Sequence, residues 1–272
     1  MTSDAAQAPF AYGQAPRDYP EHVSIIALHG NGGGGFRFAR LIPFMPAGMQ
    51  LIAPTLPGFA HKPADPSLQT LADYAGYLQR RVLHVARPRI LLGHGVGGAI
   101  ALEYAQHYPE SLDALILHAP VGAKLEQRRF PKVMQLPGMP ELGKRVFASP
   151  LARPLLRRML FSQPIPEGYL QRFFEEYQHC QVFAQMFSLI TSRWFAGLKP
   201  VPLPTLLLWG AEERVLKSNQ AEHFRRLLPR SNVAIIPGWD HFPMIETPQD
   251  YVQVLRHYAP QLLQQAKLEA QS

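Results

Sequence analysis

Six short apolar runs are spaced along the chain, and each stops at a turn rich in glycine or proline. Residues 23–28 (VSIIAL) end at His29-Gly30, and residues 51–53 continue into Pro-Thr-Leu-Pro-Gly. Residues 89–92 (RILL) run into Gly93, and 112–117 (LDALIL) end at His118-Ala119-Pro120. Residues 205–209 (TLLLW) end at Gly210, and 233–236 (VAII) end at Pro237-Gly238. Runs of this length are too short for helices. Most lack polar alternation, as expected of strands buried on both faces. Helical patterns fall between several of them, at residues 71–86, 99–106 and 219–228, and a last helix is expected from about 249 to 265. Alternating β and α elements predict a parallel sheet with helices on both faces.

Residues 121–200 break this rhythm. They contain no strand pattern, many prolines early, and then a long helical pattern over 169–190 loaded with Phe173, Phe174, Tyr177, Phe183 and Phe187. The expected organisation is therefore an α/β core of residues 1–120 and 201–272, with 121–200 inserted as a mostly helical lid. Inserted lids close over pockets, and some of these aromatics are expected to line one. The stretch also carries the charge. It holds 12 Lys/Arg against 5 Asp/Glu, a difference of +7, which equals the formal charge of the whole chain. Such a patch can attract acidic substrates, anionic lipid or nucleic acid, but the favoured reading is the solvated surface of a helical segment. No nucleic-acid motif accompanies it, so no nucleic-acid partner is expected.

At 272 residues, with 47% hydrophobic and 17% charged, the chain is long enough for one large α/β domain or two small ones. Its single cysteine, Cys180, excludes an intrachain disulfide and a cysteine-rich metal centre. Residues 1–20 lack the basic and apolar regions of a signal peptide, and no run approaches the roughly 18–20 apolar residues of a membrane span. A cytoplasmic location is the expectation, with oligomeric state left open.

In an open parallel sheet ligands sit on the strand-ending loops. Three such loops are distinctive. His29-Gly30-Asn31-Gly32-Gly33-Gly34-Gly35 can turn sharply and present bare N–H groups, which suits an oxyanion hole or a phosphate cradle. Gly93-His94-Gly95-Val96-Gly97-Gly98 joins a strand to a helix whose N-terminus favours developing negative charge. Residues 237–246 (PGWDHFPMIE) place His241 on a loop; a structural histidine is one reading, and a catalytic base is favoured by the loop position.

Taken in order, these segments resemble the lidded α/β-hydrolase superfamily, over about residues 23–258. His29-Gly30 matches its oxyanion loop, Leu56-Pro57-Gly58-Phe59 the turn after the next strand, and Gly93-His94-x-Val96-Gly97-Gly98 its nucleophile elbow. Residues 208–215 (LWGAEERV) match the acid loop and Gly238-Trp239-Asp240-His241-Phe242-Pro243 the histidine loop. The resemblance implies a serine hydrolase with His241 as base and Asn31 and Val96 as oxyanion-hole N–H donors. It also implies Glu213 as acid, where Asp is usual, and a nucleophile at position 95. That position is Gly95, and no Ser, Thr or Cys stands in the elbow to replace it. Serine-nucleophile catalysis is therefore not expected.

A rival reading is a dinucleotide-binding oxidoreductase, because Gly30-x-Gly32-x-x-Gly35 and Gly93-x-Gly95-x-x-Gly98 both fit that fingerprint. The fingerprint also wants an acid at the end of the next strand, and Ala53-Pro54-Thr55 and Leu117-His118-Ala119 supply none. No Gly-Lys-Ser/Thr marks a nucleotide hydrolase either. No cofactor and no metal are expected, only a small carbonyl- or ester-type molecule. A glycine elbow then fits an inactivated hydrolase, a non-catalytic relative, or non-covalent lyase or hydrolase chemistry by a His241–Glu213 dyad. The acid-loop glutamate, a second departure, favours natural divergence.

Overall fold

The structure, a computed structural model, describes residues 22–125, 133–134 and 136–270. The signal-peptide expectation for residues 1–20 thus lies outside the described residues. Six strands form one sheet in the order β2-β1-β3-β4-β5-β6, and every adjacent pair is parallel. They are β1 (Val23–Leu28), β2 (Met49–Ile52), β3 (Arg89–His94), β4 (Ala114–His118), β5 (Thr205–Gly210) and β6 (Ser231–Ile236). The apolar runs reappear with ends shifted by one or two residues. Strands β1, β3, β4 and β5 are buried along their whole length, which is why they show no alternation. The edge strand β6 is mostly uncovered.

Helices α1 (Leu71–Val82) and α2 (Val96–His107) connect the first half of the sheet. Thr70 caps α1 through a reciprocal box with Asp73. This helix stops four residues before the expected end. The Arg89 side chain donates to the carbonyls of Val85 and Leu83, satisfying groups that a continued helix would have used. Helix α2 starts three residues earlier than expected, directly at the turn after β3, and is buried along nearly all of its length. Gly97 makes that possible, since a Cβ there would lie 2.3 Å from the Leu28 carbonyl oxygen. After β5 come α8 (Ala221–Leu227), β6, the short α9 (Pro243–Glu246) and the long α10 (Pro248–Ala270).

Between β4 and β5 the described residues form five helices and no strand: α3 (Met139–Ala148), α4 (Arg153–Leu160), α5 (Glu167–His179), α6 (Phe183–Leu189) and α7 (Ser192–Ala196). The single long helix expected over 169–190 is two. The chain breaks at Cys180 to Val182, where the N–H groups of Gln181 and Val182 donate to the Gly58 carbonyl. The break docks the helical segment onto the 56–59 turn of the core. Two further ties are polar. Glu246 on α9 accepts from the Ser162 N–H and hydroxyl and from the Gln163 N–H.

The second tie is a buried ion pair between Arg37 Nε and Glu176 Oε2 at 2.7 Å. Arg37 also donates to the Phe173 carbonyl and lies with its guanidinium carbon 3.3 Å from the Phe173 ring centroid. Truncating one partner leaves the other charge buried and unpaired. Glu176→Ala is therefore expected to lower stability by about 3–5 kcal/mol, read as the shift of the urea midpoint at unchanged slope. A shift below about 1 kcal/mol would show that water reaches Arg37 and replaces the carboxylate.

Candidate active site

The carboxyl ends of the strands converge on one cavity of about 520 Å³. Segments that follow five different strands line it: Gly30 and Asn31 after β1, Gly95 and Val96 after β3, Val121 after β4, Arg214 and Leu216 after β5, His241 and Phe242 after β6. The helical segment supplies the rest of the wall, chiefly Phe147, Leu160, Tyr177, Phe183, Met186 and Ile190. The wall is thus mainly apolar; Asn31, Arg37, His94, Arg214 and His241 supply polar groups from the core, and Arg158 and Tyr177 from the helical segment.

Gly95 forms the turn between β3 and α2 with φ 56° and ψ −116°, a conformation that side-chain-bearing residues rarely adopt. Its N–H donates to the His118 carbonyl, and its own carbonyl accepts from the N–H groups of Gly98, Ala99 and Val121. The turn is therefore held from both sides. A Cβ placed at Gly95 would meet only the Gly30 Cα, at 3.7 Å, an ordinary contact.

His241 and Glu213 meet. His241 Nδ1 and Glu213 Oε2 are 2.8 Å apart; with the proton on Nδ1 donated to the carboxylate, Nε2 is left toward the cavity. The other carboxylate oxygen, Oε1, accepts from the N–H groups of Val215 and Leu216 at 2.7 and 2.8 Å. Burial alone raises the Glu213 carboxyl; the charge and hydrogen bond of His241 and these two N–H groups outweigh it and hold the group below its ordinary range. The adjacent residue in each loop reinforces the pair. Asp240 accepts from the N–H groups of His241 and Arg214 and forms an ion pair with the Arg214 side chain.

Asn31 and Val96 both face the cavity, and among the described residues neither backbone N–H is taken by another acceptor. The Asn31 side chain is occupied. It donates to the Phe183 carbonyl at the start of α6 and accepts from the Gly32 N–H, fixing the glycine loop to the helical segment. His29 is structural: its Nδ1–H donates to the Gly30 carbonyl and its Nε2 accepts from the Leu56 N–H. Burial pushes its pKa down to about 4.

Beneath the dyad lies a cluster whose members are far apart along the chain. The β3–β4 register sets His94 opposite His118. The ring of His94 is 4.9 Å from that of His118 and 4.5 Å from that of His241, and its Nε2–H donates to the His241 carbonyl. Burial, then the neighbouring imidazoles, drives His94 well below its ordinary pKa. Burial and then His241 push His118 down to about 3. Both rings are neutral props under the histidine loop. Arg37, Arg214, Asp240 and this cluster had no assigned role in the sequence; Asp240 and Arg214 carried a signal by standing next to His241 and Glu213 in the loop motifs, and His94 by standing next to Gly95 in the elbow.

A fully parallel six-stranded sheet, with its loops gathered over one cavity at the strand carboxyl ends, has the architecture of an α/β hydrolase. The chain belongs to the alpha/beta hydrolase family, whose sequence model matches residues 25–254. Among curated proteins it is similar to a pimeloyl-[acyl-carrier protein] methyl ester esterase of Neisseria meningitidis, 23% identical over 254 residues covering 89% of this chain and 96% of that protein. It is also similar to Lipase 1 of Psychrobacter immobilis, 24% identical over 82% of this chain and 72% of that one. Among solved structures, a point mutant of an epoxide hydrolase from Bacillus megaterium superposes with a TM-score of 0.72 at 15% identity, covering 88% of this chain and 94% of the other. That likeness is one of fold. Among the described residues no helix is long and apolar enough to cross a membrane.

Proposed function

We propose that this chain binds a small carbonyl- or ester-type molecule in the cavity above Gly95 and carries out no serine-type covalent catalysis. Residues 121–200 act as the lid over that cavity. Gly95 occupies the nucleophile position, His241 and Glu213 are the base and acid of a former triad, and Asn31 and Val96 are the oxyanion-hole donors. The observation that carries the reading is the open space at the Gly95 Cβ position, on a left-handed turn that lines the same cavity as His241. Acyl transfer through a covalent intermediate needs an oxygen or sulfur nucleophile there, and glycine has none. The two N–H groups remain to polarise a carbonyl or hold a carboxylate.

The intact dyad favours a second reading. With Nε2 of His241 open to the cavity and Nδ1 held by Glu213, the pair can take a proton from carbon next to a bound carbonyl, with no covalent step. One set of measurements addresses both readings. The protein is expected to leave p-nitrophenyl esters of short and medium chain length intact and to take no label from a fluorophosphonate. Hydrolysis or labelling at ordinary serine-hydrolase rates overturns the first reading. Incubation of aliphatic ketones in D2O, followed by NMR, tests the second: exchange at the α-carbon that His241→Gln abolishes supports it, and exchange no faster than in buffer removes it.

A further inference from the structure

The helical segment between β4 and β5 exposes apolar side chains out of proportion to its length. Of thirteen exposed large hydrophobic residues among the described ones, seven lie in residues 133–159. Helix α4 shows the pattern best. Leu156 and Leu160 form its buried stripe, while Leu155 (63% exposed) and Met159 (56%) form a second stripe on the outer face, extended one turn back by Leu151 (93%). Leu142 and Val146 repeat the i, i+4 pair on the outer face of α3. Basic residues interleave with these positions. Residues 133–160 hold Lys144, Arg145, Arg153, Arg157 and Arg158 against the single acid Glu141, a net of +4.

The patch also borders the cavity. Four lining residues are exposed and so mark its mouth: Arg158 and Met159 from α4, and Arg214 and Val215 from the loop after β5. A molecule leaving a surface held against Leu151, Leu155 and Met159 would therefore meet the cavity opening at once.

We propose that residues 133–160 dock this protein on an anionic lipid surface, with the cavity mouth turned toward it. Projecting aliphatic side chains enter the boundary between headgroups and acyl chains, and the arginines and Lys144 pair with lipid phosphates. Two other occupants fit less well. A second copy on a two-fold axis would set this +4 patch against itself. A protein partner's interface core favours aromatic anchors, and none of the seven exposed apolar residues is aromatic. The proposal is independent of whether Gly95 silences the site.

The test is co-sedimentation of the full chain with phosphatidylcholine vesicles and with vesicles containing about one-third phosphatidylglycerol. Binding to the anionic vesicles is expected, weakened at least about fivefold when salt rises from about 0.1 to about 0.5 M. Leu151→Asp with Leu155→Asp should weaken it at least about tenfold. Arg145→Glu with Arg157→Glu should do so by at least about tenfold as well, because each basic side chain near the surface contributes about fivefold. All four positions are exposed, so circular dichroism should show unchanged folding. A protein that stays in the supernatant with anionic vesicles overturns the proposal, as does binding that neither pair of changes weakens. A concentration-dependent dimer in sedimentation velocity, abolished by the Leu151/Leu155 changes, would overturn it in favour of a second copy.

Discussion

Gly95→Ser is expected to acquire a covalent label from a fluorophosphonate and at least about a 10³-fold gain in turnover of an activated ester over the Gly95 protein. The new Oγ would attack phosphorus, His241 Nε2 would take its proton, and fluoride would leave. Geometry permits this. The Cβ has an ordinary contact with the Gly30 Cα, and the dyad and two unengaged N–H groups already border the space. The substitution carries a conformational penalty. A serine held at φ 56° and ψ −116° costs roughly 1–3 kcal/mol, so its denaturation midpoint should fall while activity rises. Gains in activity and losses in stability from one atom group would identify the turn as a nucleophile elbow, because a plain surface turn gives only the loss.

In that background Glu213 becomes testable. Glu213→Gln keeps the shape but removes the charge that stabilises a protonated His241, and it should cost on the order of 10²–10⁴ in kcat. Glu213→Asp separates two uses of the side chain. Its Oε1 is tied to Val215 and Leu216, and its Oε2 reaches His241. A shorter arm cannot hold both sets without moving the loop, so a fall in activity is expected. A Gly95→Ser protein that folds normally and takes no label at all would remove the disabled-triad reading and leave a binding role.

The fold was legible because its signals are local and redundant. The strands β1, β3, β4 and β5 are covered on both faces, so burial left a continuous apolar run in each, and glycine or proline marked where each run stopped. Gly95, His241 and Glu213 stand out as candidates for a related reason: each lies within a few residues of a strand end. What the sequence hid depends on pairings between distant segments. The break at Cys180 to Val182 answers the carbonyl of Gly58, more than a hundred residues away, and nothing in a helical periodicity announces that acceptor. Arg37 reads as a surface arginine until Glu176 and the Phe173 ring enclose it. His94 and His118 look like two unrelated residues until the β3–β4 register places them side by side. Exposed Leu151 and Leu155 were likewise hidden, since an apolar residue on a helix is expected to face inward.

The buried histidines set the acid limit of this protein. His29, His94 and His118 are neutral in the fold, each with its pKa pushed down chiefly by burial: His29 to about 4, His118 to about 3, and His94 well below the ordinary value of 6.5. In the unfolded chain each takes up a proton near pH 6.5. Between that pH and the folded pKa the unfolded state therefore binds more protons, and stability falls as pH falls. The stabilisation is complete above about pH 6.5 and is lost at up to about 1.4 kcal/mol per pH unit for each histidine. Glu213, depressed in the fold, adds a loss of the same sign below its ordinary range. Glu246 acts oppositely: burial raises its carboxyl, so stability gains as pH falls through its folded pKa toward 4.5. One such group does not offset three histidines and Glu213. Urea midpoints taken from about pH 7.5 to about pH 5 should thus fall steadily, beginning near pH 6.5. His118→Phe should reduce the slope by about a third, since it removes one of three equivalent contributions. His118 is the informative choice because, among the described residues, its Nε2 is buried without a hydrogen-bond partner and its Nδ1 has only the Tyr251 hydroxyl at 3.3 Å. Midpoints that stay level down to about pH 5 would mean that the histidine cluster opens to water on protonation, and that His94 and His118 give the His241 loop no rigid support.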